Sequence, residues 1–287
     1  VELRARFDEA ENIGLANRLQ EAGAHVVYGV VGHKTHAKMM MIVRRESGKL
    51  RHYVHLGTGN YHSRTARLYT DYGLLTANPA IGEDVHRVFL QLTSLGKVSR
   101  LTHLLESPFT LHQGMLDKIA REQAHAEAGH PARIIIKVNS LVEPRVIRAL
   151  YSASMAGVQI HLIVRGMCSL RPGIEGISDN IEVRSIIGRF LEHTRVFYFA
   201  NHGEPELFCS SADWMERNFF RRVETGFPLL NPEFRQRVID DLEAYLQDNT
   251  QAWLLGSDGH YTRDAPGPDE AAYSAQTALL ETYAERN

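Results

Sequence analysis

Short runs rich in β-branched and aromatic residues alternate along this chain with longer stretches of helical periodicity. The runs His25–Val31, Met39–Val43, His52–Leu56, Ile134–Val138, Ile160–Val164, Val196–Phe199 and Leu207–Cys209 read as strands. Apolar residues at helical spacing cover Glu9–Glu21, Asp84–Leu95, Leu111–Ala128, Pro144–Ala156 and Pro232–Gln247. Pro144 and Pro232 suit a first helical turn, where a missing N–H leaves nothing unpaired. In the last of these helices Phe234, Val238, Leu242 and Tyr245 fall on one packing stripe. This alternation predicts an α/β fold with helix-covered sheets. Ser107-Pro108 marks the expected boundary between two halves, 1–105 and 106–287, because proline drives the residue before it out of helical backbone.

The two halves share a pattern. Asn60-Tyr61-x2-Arg64-x6-Asp71-x-Gly73 aligns with Asp213-Trp214-x2-Arg217-x6-Glu224-x-Gly226 at a constant offset of 153. Upstream, Gly57-Thr58-Gly59 meets Ser210-Ser211-Ala212, and His36-x-Lys38 meets His193-x-Arg195, each leading into an apolar strand. Earlier still, Glu21-Ala22-Gly23 resembles Met155-Ala156-Gly157. The ordered set predicts a duplicated unit.

Composition refines this picture. The 287 residues are enough for a large core without staples, and two cysteines, Cys168 and Cys209, make no disulfide framework. The longest apolar runs fall far short of the roughly 20 residues that span a bilayer. No charged-then-apolar leader opens the chain, so a cytoplasmic location is expected, with peripheral attachment at the inner membrane face left open. The chain begins at Val1 with an amphipathic segment under way, so a piece of something longer is expected. The net charge of −2 is a cancellation: His33–Arg67 holds eight basic residues against the single acid Glu46, whereas Asp240 onward holds ten acids against two basics. Five of the 15 histidines lie in the basic block. That block can face a polyanion.

Residues i and i+2 of a strand point the same way, so His36 projects with Lys38, and His193 with Arg195. An imidazole titrates near neutrality and serves as nucleophile, acid or base. The neighbouring cation neutralises phosphoryl oxygens, to which Asn60 and the backbone amides of Gly57–Gly59 can donate. Asp71 and Glu224 can fix each ring's tautomer by accepting from its second nitrogen. Asp213, standing where the first copy has Asn60, is a poorer phosphate ligand; His36 is therefore the expected nucleophile and His193 an acid or base across the phosphorus. No Gly-x4-Gly-Lys-Ser/Thr loop is present, so ATP use requires a different kind of site. Arg165 ends a strand at a customary ligand position. Arg221 and Arg222, by contrast, read equally well as an exposed face.

The chain resembles the C-terminal part of bacterial polyphosphate kinases of the first type. The resemblance runs through Leu3-Arg4-Ala5-Arg6-Phe7-Asp8-Glu9, His36-Ala37-Lys38-Met39, His55-Leu56-Gly57-Thr58-Gly59-Asn60-Tyr61, Tyr69-Thr70-Asp71-Tyr72-Gly73-Leu74, Ser107-Pro108-Phe109-Thr110-Leu111, Gly188-Arg189-Phe190-Leu191-Glu192-His193 and Ser211-Ala212-Asp213-Trp214-Met215 with Arg217-Asn218. It implies two phospholipase-D-like α/β halves, each a mixed sheet flanked by helices and related by duplication. It implies His36 as the phosphohistidine, His193 near the nucleotide phosphates, Tyr69 and Arg165 as ATP contacts, and Arg6 at a Mg2+-phosphate site. A guanidinium cannot ligate a metal, so Arg6 reads as a phosphate clamp beside magnesium. The implied activity is reversible transfer of the ATP γ-phosphate to inorganic polyphosphate, with ATP/ADP as nucleotides, the missing N-terminal domains as partners, a homo-oligomer, and no nucleic-acid partner.

Two other readings stay open. A phospholipase-D-like phosphodiesterase is one, although the aspartate of His-x-Lys-x4-Asp is Val43 here, and the second copy has Arg195 and Ala200. An inactive polyanion-binding fragment is the other, since the resemblance implies that an N-terminal domain, a helical domain and the start of the first half are absent. Weak or absent activity is expected of the isolated chain.

Overall fold

The computed structural model describes residues 1, 9–30, 32–93 and 100–285. The first part comprises helix α1 (Glu9–Glu21), strand β1 (Lys34–Thr35), the hairpin β2 (Lys38–Glu46) and β3 (Lys49–Gly57), strands β4 (Tyr69–Thr70) and β5 (Gly73–Thr76), and helix α2 (Pro79–Leu92). The second begins with β6 (Leu105–Ser107), α3 (Leu111–Glu127), β7 (Arg133–Val138), α4 (Pro144–Met155), β8 (Gln159–Val164), β9 (Ile181–Ile186), β10 (Leu191–Glu192) and β11 (Arg195–Phe199). It continues with β12 (Glu206–Ser210), α5 (Glu216–Phe220), β13 (Arg222–Pro228), α6 (Pro232–Gln247), β14 (Ala252–Leu255), β15 (Tyr261–Arg263) and α7 (Ala275–Ala284). Among the described residues no helix is long and apolar enough to cross a membrane.

Helix starts follow local chemistry. Asn231 caps α6 by accepting from the N–H groups of Glu233 and Phe234, with Pro232 as the first helical residue. Asn78 does the same for α2, which therefore begins at Pro79 rather than at Asp84, where the apolar spacing alone placed it. On α6, Val238, Leu242 and Tyr245 are buried as the stripe predicts, but Phe234 in the first turn is 45% exposed.

The large mixed sheet has the order β1-β13-β12-β11-β7-β8-β9-β14-β15, with β6 also paired to β13. β7, β8 and β9 are parallel, and β11, β12 and β13 are antiparallel. Alternation along β7 divides the core: Ile134, Ile136 and Val138 pack with Leu111, Met115, Val146 and Leu150 of α3 and α4, while Ile135 packs with Val238 and Leu242 of α6. This second cluster also takes in Val54, Leu56, Ile81 and Val85, so both parts of the chain share it.

The duplication is visible in strand register. In the separate sheet β2-β3-β5, Lys38 pairs with Gly57, and Gly57 with Gly73. In the large sheet Arg195 pairs with Ser210, and Ser210 with Gly226. Each of these sequence-aligned positions thus occupies the same place in its own three-strand unit. One expected strand does not form: residues 25–29 carry no strand, and Val30 makes only a bridge to His33. Its counterpart β8 lies between β7 and β9, whereas no strand among the described residues flanks 25–30 to pair its backbone.

Candidate active site

His36 sits just before β2, held by its own N–H and that of Ala37, both donating to the carbonyl of Val223 in β13. Its Nδ1 lies 2.8 Å from Oε2 of Glu224. An ionised carboxylate only accepts, so the ring hydrogen is on Nδ1 and the Nε2 lone pair is free. Glu224 is fully buried and also accepts from Ser211 Oγ at 2.5 Å and Asn218 Nδ2 at 2.6 Å. Burial holds the His36 imidazole below its ordinary value despite the Glu224 contact, which keeps it neutral and nucleophilic near neutral pH.

The second histidine has the mirror arrangement. His193 Nδ1 lies 2.9 and 3.0 Å from the two oxygens of Asp71. Asp71 accepts from Thr58 Oγ1 at 2.6 Å, as Glu224 does from Ser211, and Thr58 and Ser211 are equivalent in the duplication. Gly59 is required here, because a Cβ would stand 2.0 Å from Asp71 Oδ2. The carboxylates are thus exchanged: Asp71 of the first half orients His193 of the second, and Glu224 of the second orients His36 of the first. A copy-by-copy pairing of the motif does not hold.

Cations converge on the same place. Lys38 is 6% exposed and donates from Nζ to the His36 carbonyl at 2.5 Å. Burial pushes its ammonium down to about 7, and it also feels Glu224, Arg195, Arg222 and Asp71, which come from both halves. The Arg195 guanidinium lies against the His193 ring, with Nη1 3.1 Å from Nε2, and its Nε and Nη2 grip Asp213 at 3.2 and 3.1 Å. Burial by itself raises the Asp213 carboxyl, but Arg195 and Asn139 outweigh it and hold it below the usual range. Asp213 is therefore the partner that aims Arg195, not a counterpart of Asn60. Asn60 is exposed in its turn and its side chain makes no hydrogen bond among the described residues. The expected nest of amides is partly consumed, since Thr58 N–H donates to the Tyr72 carbonyl at 3.0 Å.

Tyr69 and Arg165, far apart in sequence, are brought to the same region, Tyr69 to His193 and Arg165 to Asn139 near Arg195 and Asp213. β4 and β10 form a two-stranded parallel ribbon between the halves, pairing Tyr69 with Leu191 and Thr70 with Glu192. This sets the Tyr69 ring 5.1 Å from that of His193. Arg165, at the end of β8, donates from Nε to Asn139 Oδ1 at 2.9 Å and feels the charges of Asp213 and Arg195. A cleft of about 250 Å³ opens beside Tyr69, Asp71, Phe190 and Thr194.

Sequence reasoning undervalued Arg222. It is half-buried on β13, two residues before Glu224 and so on the same strand face, and its charge acts on His36. The Arg222-x-Glu224 spacing was the available signal. Arg221, in contrast, is exposed and pairs with Glu216 at 3.2 Å. Arg6 lies outside the described residues. Asp71, Asp213 and Glu224 are each committed to a histidine or an arginine, and no cluster of three metal-ligating side chains exists among the described residues. The described residues therefore do not fit a resident magnesium.

Residues 1–98 match the family model for polyphosphate kinase C-terminal domain 1, and residues 104–276 the model for polyphosphate kinase C-terminal domain 2. The chain belongs to the polyphosphate kinase family. The polyphosphate kinase of Xylella fastidiosa (strain Temecula1) is 66% identical over 283 residues, which are 98% of this chain and 40% of that protein. That of Pseudomonas aeruginosa PAO1 is 61% identical over 284 residues, 99% of this chain and 41% of the relative. The crystal structure of polyphosphate kinase from Porphyromonas gingivalis superposes with a TM-score of 0.92 at 38% identity, covering 100% of this chain and 44% of that one. The chain therefore spans well under half the length of these polyphosphate kinases.

Proposed function

We propose that this chain holds the phosphoryl-transfer site of an ATP:polyphosphate phosphotransferase, acting through a phosphohistidine at His36. The observation that supports this most is the crossed pair of histidines, His36 and His193, with a carboxylate on each Nδ1 and cations beside both rings. Nε2 of His36 attacks the γ-phosphorus of ATP, the N–P bond forms, and the bond to the departing ADP oxygen breaks. The ring becomes cationic as it is phosphorylated, and Glu224 stabilises that charge on Nδ1–H. A terminal oxygen of polyphosphate then attacks the same phosphorus, the N–P bond breaks with its electrons returning to Nε2, and the chain is one phosphate longer. A phosphoramidate is high in energy, so the reaction runs either way.

Lys38 and Arg222 neutralise the transferring oxygens, and His193 acts as acid or base on the far side, with Asn60 as a further donor from its turn. Tyr69 and Arg195 at His193, with Arg165 held by Asn139 close to Arg195, form the proposed nucleotide side of the site. Magnesium is proposed to arrive with the nucleotide as part of the substrate, because Asp71, Asp213 and Glu224, the carboxylates at the two histidines, are each taken up by a histidine or an arginine. Residues 1–105 and 106–287 are taken as the two halves of one catalytic unit, working with the further segments that the longer relatives contain.

In the full-length protein, γ-labelled ATP should leave an acid-labile, base-stable label that His36→Ala removes. Label that survives this substitution overturns the nucleophile. Hydrolysis of a phosphodiester without ATP, or salt-sensitive polyphosphate binding with no labelling, favours the phosphodiesterase or the binding fragment respectively.

A further inference from the structure

The strand that delivers His193 is only two residues long, and its single strand neighbour among the described residues is the equally short β4. A side chain of the C-terminal helix does the rest. Gln276, 4% exposed at the start of α7, accepts the Phe190 N–H on Oε1 at 2.9 Å and donates from Nε2 to the Phe190 carbonyl at 2.9 Å. The amide thus satisfies both backbone groups of one residue, as a strand neighbour does. Nε2 also donates to Glu192 Oε1 at 2.6 Å.

The connection continues to the histidine. The other oxygen of Glu192 accepts from Thr70 Oγ1 at 3.0 Å and from the buried Lys137 ammonium at 2.8 Å. Thr70 Oγ1 in turn accepts the N–H of His193 at 3.1 Å. Space at this contact is closed: a Cβ on Gly188 would stand 2.5 Å from Gln276 Oε1 and 2.6 Å from Gln251 Oε1.

We propose that Gln276 is a positioning residue for His193, locking β10 against β4 so that Nδ1 meets Asp71 and the ring stays beside Tyr69. The proposal rests on the reading of His193 as acid or base. Gln276 acts through Phe190 and Glu192; it does not take part in the chemistry itself.

The test uses the full-length enzyme with Gln276→Met, which keeps the volume and removes all three bonds. The kcat should fall on the order of 100-fold, the loss that a misplacement of about 1 Å can produce. The limb of the pH–rate profile that His193 sets (the acid limb as a base, the alkaline limb as an acid) should move up, because burial lowers the His193 imidazole and a loosened ring returns toward about 6.5. In the unliganded protein, the imidazole nitrogen NMR signals of His193 should lose their Nδ1–H tautomer preference while those of His36 stay in place. Gly188→Ala, pressing on the same amide from the other side, should reproduce all three effects.

His193→Ala separates the two ideas. If it leaves transfer intact, the reading of His193 fails. If it abolishes transfer while Gln276→Met and Gly188→Ala keep wild-type kcat, pH limb and His193 signals, the positioning role is overturned. Loss of cooperative melting in both variants overturns it too, by making Gln276 a support of the whole domain.

Discussion

Glu224 meets Nδ1 of His36 at 2.8 Å across 188 residues of chain. Asp71 makes the reciprocal contact with His193 across 122 residues. Each histidine is therefore oriented by the half of the molecule to which it does not belong, and neither half contains both a histidine of the pair and the carboxylate that orients it.

Glu224→Gln keeps the shape but replaces an obligate acceptor with a group that can also donate, releasing His36 to its other tautomer. Labelling of His36 by ATP should slow by about ten-thousandfold, in line with orienting carboxylates elsewhere. Rapid-quench measurement of the acid-labile adduct checks this, and a rate within a few-fold of wild type speaks against the orienting role.

The exchange also makes a prediction about coupling. Asp71→Asn and His193→Ala should be strongly non-additive, the double variant being little worse than either single one, with about 0.5–3 kcal/mol of interaction energy. Asp71→Asn with Glu224→Gln should lie closer to additive. A double-mutant cycle on single-turnover rates decides between this crossed wiring and a copy-by-copy one.

Lys38 should make anion binding pH-dependent. With the ammonium pushed down to about 7 by burial, the free site is increasingly neutral as pH rises through 7, while a bound phosphate favours the charged form. Binding then takes up a proton, and affinity for a short polyphosphate falls with rising pH above 7, by up to about tenfold per pH unit for one proton. Calorimetry in buffers of different ionisation enthalpy should detect the uptake. Lys38→Arg should abolish it.

Asp213 and Arg195 form a buried, two-pronged ion pair, with side chains 11% and 5% exposed. Asp213→Ala leaves the guanidinium buried and unpaired and also strips Asn139 of its acceptor. A loss of about 3–5 kcal/mol in stability is expected, read as a lower midpoint in urea. A change within 0.5 kcal/mol, the usual size for surface sites, counts against the pair as a structural element.

Much of this was legible in the residues. The offset between the motifs reappears as identical register in β2-β3-β5 and β11-β12-β13, and Glu9–Glu21 and Pro232–Gln247 are helices at the expected bounds. β13 was not read as a strand, because Glu224 and Thr225 look like loop residues until both are seen to be fully buried and hydrogen-bonded. The acidic C-terminal stretch looked remote from the chemistry, yet its Gln276 holds Phe190. A hydroxyl at the same place in both copies, Thr58 and Ser211, is the sequence sign that these turns hold the carboxylates.

The sequence by itself determined the duplicated unit, the histidine–cation pairs and the hairpin registers, because side-chain alternation and turn residues act over a few positions. Tertiary structure decided which carboxylate serves which histidine and brought Tyr69 to His193. Those outcomes depend on two halves meeting over the shared cluster of Val54, Leu56, Val238 and Leu242, and a short-range pattern carries no information about a partner more than a hundred residues away.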